Sequence, residues 1–196
     1  MKELYLVRHG RTLFNEKGLI QGWCDSPLTS LGEEQAGRIG RYLRHEGIAF
    51  DHACASTLTR TQRTLERIVD MPYERFDGLR EWGFGMFEAE HVNLMPAFPW
   101  GDFYQQFGGE GQLEVRERMM GTLRDIMERP GCERVIAVSH GSSCREFLTA
   151  VALESGTEPP RAVPGNCSVM RFSYENSAFA LEQVLEQDDL RRVLGE

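Results

Sequence analysis

The sequence predicts an α/β protein: a three-layer sandwich with a mainly parallel central sheet flanked by helices. Three observations carry this. Apolar runs of strand length recur at 3–8, 51–56 and 134–141. Segments of helical periodicity separate them, which is the pattern of a parallel sheet with crossover helices. No internal repeat and no low-complexity linker interrupts the alternation. At 196 residues the chain is read as one domain spanning 1–196, with a lid-like insertion at about 82–115.

The first strand is 3–8, apolar through Leu4-Tyr5-Leu6-Val7. "SLGEEQAGRIGRYLRHEGI" follows as a helix, with Ser30 as N-cap, Glu33 completing a capping box and Gly47 near its end. "DHACAS" (51–56) is a short strand, and 57–69 is a helix with Leu58, Leu65 and Ile68 apolar. A further helix covers 112–129 and stops at Pro130-Gly131. "RVIAVSHG" (134–141) is the clearest buried strand, and 143–153 is the helix after it. Residues 167–174 and 179–186 read as a closing antiparallel pair.

Ligands of such folds sit beyond the carboxyl ends of strands. Strand 3–8 ends in Arg8-His9-Gly10, and strand 134–139 ends in Ser139-His140-Gly141. Two histidines at two strand ends can share one pocket. Arg60 lies just past a third strand, and two guanidinium forks suit phosphate or carboxylate. The chemistry suggested is phosphate handled by histidine without a metal. His45, His52 and His91 are read as ordinary hydrogen-bonded or solvated residues.

Composition narrows the partners. A formal net charge of -8 argues against general binding to nucleic acid or anionic membranes. Five widely spaced cysteines, an odd number without a Cys-x-x-Cys, suit free thiols in a reducing cytoplasm. No apolar run reaches the length of a membrane span, and a strand beginning at Lys2-Glu3 leaves no room for a signal peptide. Cys24, Cys144 and Cys167 are read as inert thiols.

Five blocks, in order, resemble the phosphoglycerate-mutase-like branch of the histidine phosphatase superfamily. They are "RHGRTLFN" (8–15), "QGWCDSPLTSLGEEQA" (21–36), "STLTRTQRT" (56–64), "LREWGFGMFE" (79–88) and "VSHG" (138–141). The resemblance implies a phosphoglycerate-mutase-like fold and a set of roles. His9 is the nucleophile that becomes phosphohistidine. Arg8, Arg60 and His140 hold the phosphoryl oxygens and spread the transition-state charge. Glu81 is the general acid, then the general base. Asn15, Gln21, Gly22 and Gly141 complete the substrate-binding set. Glu81, protonated in its first step, is expected away from the arginines and partly desolvated near Trp82. Gly10 is expected to leave room for phosphate at the backbone.

Three departures from the family pattern stand out: Arg63 where Gln is frequent, Ala89 where Gly is frequent, and Gly111 where Ser is frequent. The last two are expected to alter the substrate side of the pocket. The lid segment from Trp82 to Val115 holds no Lys or Arg but carries five acids and seven aromatics after Trp82. Phosphoglycerates need extra cations at the mouth, so the acidic lid favours hydrolysis of a small phosphorylated metabolite, with no cofactor. The alternatives are a cofactor-dependent phosphoglycerate mutase and a non-catalytic phosphate-binding module. The aromatics are expected either to contact substrate or to form a small core of their own under a long loop. A monomer and a homodimer both fit the family.

Overall fold

β1 (Lys2–Arg8) explains how one sheet buries two faces. Its side chains alternate: Leu4 and Leu6 enter one apolar core, Tyr5 and Val7 another. In the computed structural model, which describes residues 1–196, the sheet has six strands in the order β3-β2-β4-β1-β5-β6. β2 (His52–Ser56), β3 (Glu74–Phe76), β4 (Arg134–Ser139) and β1 form the parallel part. β5 (Val169–Glu175) and β6 (Ala178–Leu185) are the expected antiparallel pair, and β5 docks antiparallel on β1.

Helices cover both faces. α2 (Ser30–His45) and α3 (Thr59–Ile68) pack with α6 (Gln187–Leu194) against the Tyr5 face. α4 (Gln112–Met127) and α5 (Gly141–Glu154) cover the other. The expected sandwich is present. α1 (Leu13–Lys17), β3 and α6 are additional elements, too short for periodicity to reveal.

Some local expectations are corrected. The N-cap of α2 is Thr29, whose Oγ1 accepts the Gly32 N–H at 3.1 Å, and Glu33 turns outward to Arg67. α5 starts at Gly141, two residues before the expected start, which places its free N–H groups beside the strand end. Gly10 is a packing glycine: a Cβ there would lie 2.5 Å from the Gly32 carbonyl oxygen at the start of α2.

Ala89 and Gly111 are also structural positions. Ala89 has φ of 67°, the left-handed region where glycine is at ease. Gly111 is the N-cap of α4, where a serine would supply the cap that glycine lacks. Ala89→Gly is therefore expected to stabilise the fold by about 1 kcal/mol, read as a higher urea midpoint at unchanged slope.

The 82–115 segment holds short 3-10 turns around a small core of Ile20, Trp82, Phe84, Tyr104 and Val115, with Phe87 and Phe103 packed on it. Most of the aromatics thus support one another rather than a ligand. No helix is long and apolar enough to cross a membrane.

Candidate active site

Sheet register brings the two histidines together. Arg8 pairs with Ser139 across β1 and β4, and the His9 N–H donates to the Ser139 carbonyl at 3.0 Å. His9 and His140 are each the next residue. Their ring centroids lie 5.2 Å apart with the planes at 63°.

His9 is buried, and its Nδ1 lies 2.8 Å from the Gly10 carbonyl. A carbonyl only accepts, so Nδ1 carries the proton and Nε2 keeps its lone pair. Burial, then Arg60 and Arg8, hold the ring well below the usual histidine range. It is a neutral imidazole with the Nε2 lone pair free. Asn166 fixes the backbone beneath it by donating to the His9 carbonyl at 3.1 Å and to Asn15 Oδ1 at 3.2 Å.

His140 is fully buried, and its Nε2 lies 2.7 Å from Ser56 Oγ. The Leu58 N–H donates to the same oxygen; in the tautomer that suits an anion, the Ser56 hydroxyl donates to Nε2. The ring proton then sits on Nδ1, which has no partner. Burial, Arg60 and His9 hold this ring well below the usual range as well.

The arginines are placed by carbonyls. Arg60 Nη2 donates to Gly22 O at 2.8 Å, and Nη1 to Cys24 O at 3.0 Å and Asp25 Oδ1 at 3.1 Å. Arg8 Nη1 donates to Pro164 O at 2.6 Å, and its guanidinium lies over Gly141, where a Cβ would be 3.1 Å from Cζ. The Nε atoms of both arginines are buried without a partner, as is Gln21 Nε2. With His140 Nδ1 they make four orphaned polar groups in one neighbourhood. Buried polar groups are nearly always satisfied, so a set of this kind is suited to an anion.

Glu81 departs from expectation in its surroundings. It is buried and makes no ion pair, yet its charge is felt by Arg8 and Arg60. The Trp82 and Ser143 N–H groups donate to its Oε1, both at 2.8 Å, and the Ser142 N–H donates to Oε2 at 3.0 Å. The carboxyl is thus oriented by the N-terminus of α5 and not by the Trp82 ring. Arg118 braces the backbone here, donating to the carbonyls of Gly78, Arg80 and Glu81 while paired with Glu110.

Of the remaining expected residues, Asn15 is spent in part on the Thr12 cap of α1, and the Gly22 carbonyl is taken by Arg60. Gly141 is the first residue of α5. His45 and His91 bond locally, His45 beside Glu46 and His91 with the Asn93 N–H; His52 lies 3.4 Å from Glu74. Burial pushes the Cys144 and Cys167 thiols up, as befits inert packing groups. Ser56, Ser142, Ser143 and Asn166 escaped sequence reasoning. Ser56 and Asp25 stand inside blocks already singled out; Asn166 carries no signal in the sequence.

The two neutral histidines make stability depend on pH. The unfolded chain takes up their protons as pH falls through about 6.5, and the folded chain does not. Stability is therefore fully present above 6.5 and is lost below it. The loss is about 1.4 kcal/mol per pH unit for each histidine until its folded-state value is reached. Urea unfolding between pH 7 and pH 5, in a phosphate-free buffer, should show this slope, and His9→Gln should remove about half of it. A flat profile would mean that the rings are charged in the folded protein.

The sequence matches the family described as histidine phosphatase superfamily (branch 1) over residues 4–187. A curated relative, "Probable phosphoglycerate mutase GpmB" of Klebsiella pneumoniae subsp. pneumoniae, is 34% identical over 192 residues, covering 90% of this chain and 87% of the relative. Among solved structures, Bacillus stearothermophilus YhfR aligns with a TM-score of 0.79 at 26% identity, over 92% of this chain and 95% of that one. A phosphoserine phosphatase from Entamoeba histolytica aligns at 0.81 with 24% identity, over 97% and 100%. The likeness to the second structure is one of fold alone. Strand order, paired histidines and a near full-length match agree: the chain is an enzyme of the histidine phosphatase superfamily, branch 1.

Proposed function

We propose that the protein is a metal-independent phosphomonoester hydrolase that acts through phosphohistidine on a small phosphorylated metabolite in the cytoplasm. The observation that carries this is His9: a neutral ring with Nε2 free, beside four orphaned polar groups. The Nε2 lone pair attacks phosphorus and the ester P–O bond breaks. The leaving alkoxide takes a proton from the Glu81 carboxyl. Water then attacks the phosphorus of phosphohistidine and gives its proton to Glu81, and the P–N bond breaks to release phosphate and the neutral ring. Arg8, Arg60 and His140 Nδ1–H stabilise the oxygens in both steps. Asn15, Gln21, Gly22 and Gly141 form the rest of the phosphate cradle.

The relatives named as probable phosphoglycerate mutases favour a second reading, in which a substrate hydroxyl replaces water. One experiment separates them. The purified protein should release phosphate from p-nitrophenyl phosphate and from members of a metabolite panel in the presence of EDTA. Interconversion of the two phosphoglycerates faster than their hydrolysis would establish the mutase instead. No release from any ester would sink the hydrolase.

A further inference from the structure

A small cavity of about 120 Å³ adjoins the catalytic groups, and nothing in the reaction above uses it. Trp82, Phe98, Trp100 and Val163 wall it with apolar surface, and Ser142, Arg145 and the Glu146 carboxylate line it with polar groups. Its position ties it to the chemistry. Ser142 holds Glu81 through its N–H, and Val163 presses on Gly141 beside the Arg8 guanidinium. Arg145 stands three residues after Ser142 on α5, so their side chains share one helix face, a single turn apart. A leaving group departing toward Glu81 would enter this space.

Arg145 is the unusual group there. It is only 9% exposed, and its Nη1 is buried with no hydrogen-bond partner. Its nearest carboxylate, Glu146, is committed elsewhere: Arg116 holds Oε2 at 2.8 Å and 3.1 Å, and Gln112 Nε2 donates to Oε1 at 3.0 Å. Arg145 is left with a 3.6 Å contact to Glu146. Two guanidiniums thus share one buried carboxylate, and one positive charge is in excess. The Arg145 Cζ lies 3.3 Å from the centre of the Phe98 ring, which holds the fork in one plane before any ligand arrives. Arg161 stands at the rim, 93% exposed on the side chain and 3.9 Å from Glu158, so the excess charge inside is that of Arg145.

We propose that Arg145 reads a carboxylate on the leaving group, so that the preferred substrates are small phosphorylated carboxylic acids. One net charge, one planar fork and a cavity of this size suit a carboxylate better than a second phosphate, which brings more charge and more oxygens to satisfy. The cation comes from α5, so the absence of Lys and Arg from 82–115 does not exclude acidic substrates. The inference rests on the hydrolase reading above.

The test uses a matched pair, 2-phosphoglycolate and 2-hydroxyethyl phosphate, which differ by carboxylate against hydroxymethyl. The wild-type chain should favour the acid in kcat/KM by roughly 10- to 100-fold, the worth of one hydrogen bond to a charged group. Arg145→Met should collapse that ratio toward one, and Arg145→Lys should keep part of it. Hydrolysis of p-nitrophenyl phosphate with no preference within the pair would overturn the inference and leave the hydrolase reading standing. So would equal losses on both esters in Arg145→Met. If no ester is hydrolysed, calorimetric binding of the pair to His9→Ala still decides: equal affinities overturn the inference, and an Arg145-dependent preference upholds it.

Discussion

His9→Ala is expected to lower phosphatase turnover on every ester by on the order of 10⁴-fold or more, because the proposed reaction runs through a bond from its Nε2 to phosphorus. The ring is held by Gly10, enclosed by Arg8 and Arg60, and has no neighbour placed to substitute for it. His140 is not placed to do so: its Nε2 is engaged by Ser56. The variant should fold and keep binding phosphate through the arginines and the His140 Nδ1–H. A rapid quench with radiolabelled ester should trap label on the wild-type chain and none on His9→Ala. His140→Ala should turn over slowly but still become labelled. Retention of label by His9→Ala would move the nucleophile elsewhere and end the scheme.

Glu81→Gln is expected to lower kcat/KM by about 10²- to 10⁴-fold on alkyl phosphates and by far less on aryl phosphates. An alkoxide is a poor leaving group and needs the proton; p-nitrophenolate leaves without it. The carboxamide matches the carboxyl in shape, so the loss reports the proton and not the packing. The fit is imperfect in one respect. Both Glu81 oxygens accept backbone N–H groups, so one of those donors would face the new amide NH₂. That mismatch should cost about 1–3 kcal/mol of stability, measurable in urea. Equal activity losses on alkyl and aryl esters would show that Glu81 only shapes the site.

The pairing of His9 and His140 was legible in the sequence because both rings sit where regular structure ends. Apolar residues 4–7 and 135–138 declare strands, and a charged or ring-bearing residue directly after a strand has few reasons to be there. What escaped was set by tertiary neighbours. Asn166 reaches His9 from a loop with no pattern of its own. The setting of Glu81 depends on α5 beginning at Gly141, and helix ends are the least certain feature of a periodic pattern. Arg145, five residues after His140, carries no signal in the chain order, yet the fold sets it beside the lid residues Trp82, Phe98 and Trp100. Ala89 and Gly111 were read as substrate-side changes, yet each is decided by local backbone: a left-handed φ and a helix cap.

The pairing of Arg8 with Ser139 also bears on how such an enzyme can change. Because the gap between the histidines is set by neighbouring strands, the lid segment at 82–115, packed on a small core of its own, can be rebuilt without moving either ring. Reaction and selectivity are thereby decoupled in inheritance. A lineage can trade one lid for another while the strand pairing that sets the two rings stays as it was.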